Sequence, residues 1–66
     1  MRLLVNGESR SFSEPLSVAG LLDVMGLAGK RIAVERNGEI VPKSRHAETA
    51  LDEGDRLEIV VAVGGG

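Results

Sequence analysis

Apolar residues alternate with polar ones at the start of the chain. Met1, Leu3 and Val5 fall on one side and Arg2 and Leu4 on the other, a period of two that predicts a strand. Asn6-Gly7 follows, the dipeptide best suited to a tight hairpin, because a type I′ turn requires positive φ at both central positions. Glu8 to Phe12 is the predicted return strand. Its one large apolar residue is Phe12, and charged Glu8 and Arg10 suit a sheet edge that must not pair with other chains. The period then changes. Val18, Leu21, Leu22 and Met25 recur at helical spacing, with Ser17 placed as the N-cap and Gly26 as the left-handed residue that ends the helix. Gly20 inside this helix costs up to about 1 kcal/mol relative to alanine, which a close helix–sheet approach would justify.

Alternation returns after the loop Ala28-Gly29-Lys30. Arg31 to Arg36 is a predicted strand with Ile32 and Val34 inward; Arg36 shares that inward face, so it belongs at the rim of the core or the register differs. Asn37-Gly38 repeats the hairpin signal, and Glu39-Ile40-Val41 is a short return strand stopped by Pro42. Lys43 to Leu51 is weakly patterned and is expected to wrap the surface with a short helical turn. Asp52 to Asp55 is a turn, and Arg56 to Ala62 is the last strand, with Leu57, Ile59 and Val61 on one face. Five strands and one helix, in the order strand, strand, helix, strand, strand, strand, predict an α+β fold with the helix packed across a mixed sheet. The predicted division is a folded body over 1–62 and a tail over 63–66.

With 66 residues there is room for one domain and little room for a deep cleft. The chain carries one aromatic residue and a net charge of −2, which argues against base stacking and against a surface that tracks phosphates. No nucleic-acid partner is therefore expected. It has no cysteine, hence no disulfide framework and no thiolate metal site. No apolar run reaches membrane-spanning length, and the first residues are too short for a secretory signal, so the expected compartment is the cytoplasm. His46 lacks a His or Cys partner and is expected to be a structural residue at the surface. The acidic residues Glu48, Asp52, Glu53, Asp55 and Glu58 are read first as a solvated face, and second as a dock for a basic partner.

The remaining signal is the end of the chain. Ile59 to Ala62 is an uncharged apolar run leading into Val63-Gly64-Gly65-Gly66. Glycines bury nothing and lose the most backbone freedom on ordering, so they do not stabilise a body; they make a slender, flexible peg ending in an α-carboxylate. A frayed terminus gives the same pattern when the tail is taken alone. Val60 and Ala62 lie on the face opposite the core, and Leu4 joins them if the first and last strands pair. With Val63 at the root of the tail, they are the candidate docking residues. Ordering Gly64 to Gly66 costs roughly 3–6 kcal/mol at about 1–2 kcal/mol per residue, so the body must contribute to partner affinity.

Val5-Asn6-Gly7-Glu8, Ser17 to Leu22, Ala33-Val34-Glu35, Asn37-Gly38-Glu39-Ile40-Val41-Pro42-Lys43, Gly54 to Val60 and the terminal glycines together resemble the small sulfur-carrier proteins of the ubiquitin-like β-grasp fold, in particular the ThiS-type carriers of thiamin (thiazole) biosynthesis. The likeness covers nearly the whole chain. It implies that the Gly66 carboxylate is adenylated by an adenylyltransferase related to ubiquitin-activating enzymes, using ATP and Mg²⁺, and then converted by a sulfur donor protein to a thiocarboxylate. That thiocarboxylate supplies thiazole synthase. Gly64 and Gly65 would be the residues the partners recognise along the tail. The chain itself would be a monomeric carrier and no enzyme, and would bind no cofactor or metal. The small subunit of molybdopterin synthase, a tRNA-thiolation carrier and a ubiquitin-like protein modifier are the sibling readings. A plain interaction module with an incidental tail is the reading from another class. An acyl carrier is excluded, because it needs an all-helical fold and a serine in an acidic setting.

Overall fold

The computed structural model describes residues 1–13 and 15–62. Strands β1 (Arg2–Val5), β2 (Glu8–Ser11), β3 (Ile32–Arg36), β4 (Glu39–Val41) and β5 (Arg56–Val61) form a single sheet in the order β2-β1-β5-β3-β4. Helix α1 (Val18–Val24) packs across one face. β1 and β5 run parallel and the other neighbours antiparallel, so the sheet is mixed, as expected. Both Asn-Gly pairs turn as predicted: φ is 51° at Asn6 and 83° at Gly7, then 52° at Asn37 and 88° at Gly38.

The helix is bounded by chemistry that the sequence displays. The Ser17 hydroxyl accepts from Gly20 N–H at 3.0 Å. Gly26, at φ 74°, lets Leu27 N–H reach Leu22 O at 2.8 Å and Gly26 N–H reach Asp23 O at 3.0 Å, the paired bonds of a Schellman cap. The segment 43–51 finishes the job at the other end. Val18 N–H donates to Thr49 O and Ala19 N–H to His46 O, each at 2.9 Å, so with Gly20 on Ser17 three of the four donors left over by helix geometry are used. A 3₁₀ turn at Lys43–Arg45 starts that segment.

The core is Leu3 and Val5 from β1, Val18, Leu21 and Leu22 from α1, Val34 from β3, Leu51, and Leu57 and Ile59 from β5. Val61 departs from the expected inward set; it is 38% exposed, because it lies at the end of the sheet opposite half-buried Ile32. Gly20 is not explained by the sheet. A Cβ there would meet the Leu16 and Ser17 side chains at 3.4 Å, an ordinary contact with the segment entering the helix.

Candidate functional site

β5 is the central strand of the sheet and the one that leads into 63–66. Its attachment is unusually complete for so small a body. On one side it pairs with β3 from Leu57 to Val61, and Ala62 N–H continues the contact by donating to Arg31 O at 2.8 Å. On the other side β1 ends at Val5, opposite Leu57. There the Asn6 side chain takes over the role of the missing strand. Its Oδ1 accepts from Ile59 N–H at 2.7 Å and its Nδ2 donates to Ile59 O at 3.2 Å. Asn37 does the same at the start of β5, with Oδ1 accepting from Arg56 N–H at 3.0 Å. Each asparagine thus makes its turn and extends a ladder with its amide. The hairpin signal in the sequence shows the first role and not the second.

Asn37 Nδ2 also donates to Asp55 Oδ1 at 3.1 Å, and Asp55 Oδ2 accepts from Arg36 Nε and from Asp52 N–H, both at 2.8 Å. Arg36 Nη2 reaches Asp52 at 3.1 Å. Arg36 therefore sits at the rim of the core, which resolves its inward placement. Asp55 is not part of a solvated acidic face: it is 7% exposed. Burial pushes its carboxyl up, but the Asp52 N–H, the Asn37 amide and the Arg36 guanidinium outweigh that and hold it below the usual carboxylate range. Arg36 is raised in turn, chiefly by its hydrogen bond to Asp55.

His46 is structural but not at the surface. It is 8% exposed, because the segment that caps the helix turns its ring inward, where Nε2–H donates to Val41 O at 3.0 Å. Among the described residues no group of three or more His, Cys, Asp or Glu is placed to hold a metal ion.

Leu4, Val60 and Ala62 all face away from the helix and are exposed, Val60 by 61%. They do not form one strip. The parallel register sets Leu4 opposite Arg56, four residues before Val60, or about 13 Å away at about 3.3 Å per residue. Between them lie Glu58 and its cross-strand partner Glu35. Val60 instead pairs with exposed Ala33. The apolar residues of this face are therefore dispersed: Val60, Ala62 and Ala33 form a small patch at the edge from which the tail leaves, Ile40 stands 65% exposed on β4 opposite Glu35, and Leu4 lies apart at the far end. Val63, Gly64, Gly65 and Gly66 lie outside the described residues.

Comparison with known proteins places this architecture. The model of the ThiS family matches residues 3–66. A protein named thiazole synthase from Paramagnetospirillum magneticum is 52% identical over 66 residues, covering 100% of this chain and 20% of that protein. The chain thus spans about a fifth of that relative's length. The sulfur carrier protein ThiS of Bacillus subtilis is 38% identical over 65 residues, covering 97% of this chain and 98% of that one. The crystal structure of the thiamine biosynthesis protein ThiS from Geobacter metallireducens superposes with a TM-score of 0.84 at 33% identity, over 100% of both chains.

Proposed function

The chain belongs to the ThiS family, with its ubiquitin-like β-grasp fold, and on that premise we propose that it is a sulfur carrier of thiamin biosynthesis. In the proposed cycle an oxygen of the Gly66 carboxylate attacks the α-phosphorus of ATP, held with Mg²⁺ by an adenylyltransferase related to ubiquitin-activating enzymes, and pyrophosphate leaves. A nucleophilic sulfur of a donor protein then attacks the acyl carbon, and AMP leaves with one carboxylate oxygen. That sulfur is the outer atom of a donor persulfide; a thiol then attacks the inner sulfur, the S–S bond breaks to leave a donor disulfide, and the freed thiocarboxylate passes its sulfur to thiazole synthase. The carrier catalyses none of these steps. It supplies a carboxylate, a backbone narrow enough at Gly64 and Gly65 to enter a recessed site, and a body for the partner to hold.

The observation that carries this reading is the mounting of the tail. Residues 63–66 continue from the central strand, which is hydrogen-bonded on one side by β3 and on the other by β1 and the Asn6 amide. A strand secured on both sides gives the tail a fixed root. Four residues then reach roughly 13–14 Å at about 3.3–3.6 Å each. The exposed patch at Val60 and Ala62 flanks that root and suits docking to the adenylyltransferase. The names borne by the relatives, thiazole synthase and ThiS, favour thiamin over molybdopterin synthesis or tRNA thiolation.

Deleting Gly66 tests the reading. The shortened carboxylate falls about 3.5 Å short of its place, and misplacement by 1 Å is enough to cost about a hundredfold in rate. ATP–pyrophosphate exchange is expected to fall to background with the melting temperature unchanged. Exchange at the full rate would contradict it.

A further inference from the structure

The sheet has two edges, and they are not alike. β4 is three residues long and is followed at once by Pro42. β2 is exposed at all four of its positions, on both faces. The Met1 ammonium donates to Phe12 O and Phe12 N–H donates to Met1 O, both at 2.7 Å, and the β1–β2 register carries that exchange on to Leu3–Arg10 and Val5–Glu8. The backbone N–H and C=O of Ser9 and Ser11 therefore point away from the sheet, where they form a template for another strand. We infer that this edge is a self-association site, and that its occupant is β2 of a second copy of the chain, antiparallel about a two-fold axis through Ser9.

The order of the charges selects both the occupant and the register. Cross-strand neighbours share a face, so Glu8 and Arg10 lie on the helix side of the sheet with Val5 and Leu3, yet both are exposed. Pairing Ser9 with Ser9 sets each Glu8 opposite Arg10 of the other copy, so two ion pairs flank two backbone hydrogen bonds. Sliding by two residues sets Glu8 against Glu8 or Arg10 against Arg10. Sliding by one sets the outward groups of one copy opposite residues whose own groups face β1. Within one chain Glu8 and Arg10 approach only to 3.9 Å, with side chains 75% and 48% exposed, so each can turn to a new partner at little cost. Exposed pairs add little strength; here they choose the register. Charges that guard the edge against strands of other sequence thus admit this one. β5 lies two strands in from the edge, about 10 Å away at about 4.8 Å per strand. Both tail roots and both Val60–Ala62 patches stay uncovered, and the monomer that the resemblance implies is the dilute state.

The test is sedimentation velocity of the full chain over a series from micromolar to millimolar, at low and at raised salt. The wild type is expected to rise from one copy to two with concentration, and less so in raised salt. Ser9→Pro removes one outward donor from each copy and none from the β1 ladder, and is expected to raise the dimer dissociation constant about tenfold or more. Glu8→Lys sets like charges opposite each other and is expected to act in the same direction. E8K/R10E exchanges the two charges and is expected to restore the wild-type constant. All four proteins are expected to share one melting temperature when dilute. A wild type that stays a single copy throughout the series overturns the inference. So does a dimer that Ser9→Pro leaves unchanged, since it would use another surface, or an E8K/R10E chain that associates no more tightly than Glu8→Lys.

Discussion

At the scale of single residues, Asp55 joins the most elements for its size. One carboxylate receives the β3–β4 turn through Asn37, the rim of the core through Arg36 and the turn before β5 through Asp52 N–H. Its folded pKa is lowered, so it contributes stability that is complete above the unfolded value of about 3.9 and is lost as pH falls through the lower folded value. Arg36, shifted upward, stays charged throughout that range and adds no slope of its own. Urea unfolding across acid pH is expected to show stability declining below about pH 4. Asp55→Asn should remove about 1–3 kcal/mol at neutral pH and flatten the acid limb, because no proton is then taken up at this position. An unchanged acid limb in the variant would assign the slope to other carboxylates. The sequence carries a trace of this knot in Arg36, a charge on an inward position, but its partner lies 19 residues away and reads as one acid among several.

At the scale of elements, β5 depends on side chains that stand in for backbone. Asn6 occupies positive φ and also satisfies both polar groups of Ile59, so two substitutions separate its roles. Asn6→Gly keeps the turn and removes the clamp; Asn6→Ala removes the clamp and strains the turn. Each is expected to destabilise by about 1–3 kcal/mol, alanine the more, as read by urea denaturation. Faster amide exchange at Ile59 in the glycine variant would place the loss at the clamp. The elements themselves are legible in the sequence for local reasons. Val18, Leu21 and Leu22 mark the helix face, Ser17 and Gly26 its ends, and two Asn-Gly pairs the turns. What is not legible is how 43–51 is held. Its contribution to the helix is made by the carbonyls of His46 and Thr49, and carbonyls have no residue-type signature. That is also why His46 reads as a surface residue and is found buried within that segment, just after its 3₁₀ turn.

At the scale of the whole molecule, a body of this size has no deep cleft to spare, and among its described residues every buried side-chain polar atom has a hydrogen-bond partner. On the proposed reading, its function is to hold the base of the tail and to present surfaces around it. The tail is legible in sequence because its chemistry is that of backbone without side chains. The cluster around Asp55 is not, because Arg36, Asn37 and Asp52 come from a strand and two turns, and only the fold brings them together. The docking strip inferred from alternation shrinks to the Val60–Ala62 patch because alternation gives the face of each residue and not the cross-strand register, which sets Leu4 opposite Arg56.

The most direct measurement of the central claim is the intact mass of the chain after incubation with the adenylyltransferase, ATP, Mg²⁺ and the sulfur donor. The carrier account expects one oxygen replaced by one sulfur, located by fragmentation at Gly66 and absent when ATP is withheld. An unchanged mass under conditions in which the Bacillus subtilis ThiS protein is converted, or sulfur found anywhere but Gly66, would contradict it.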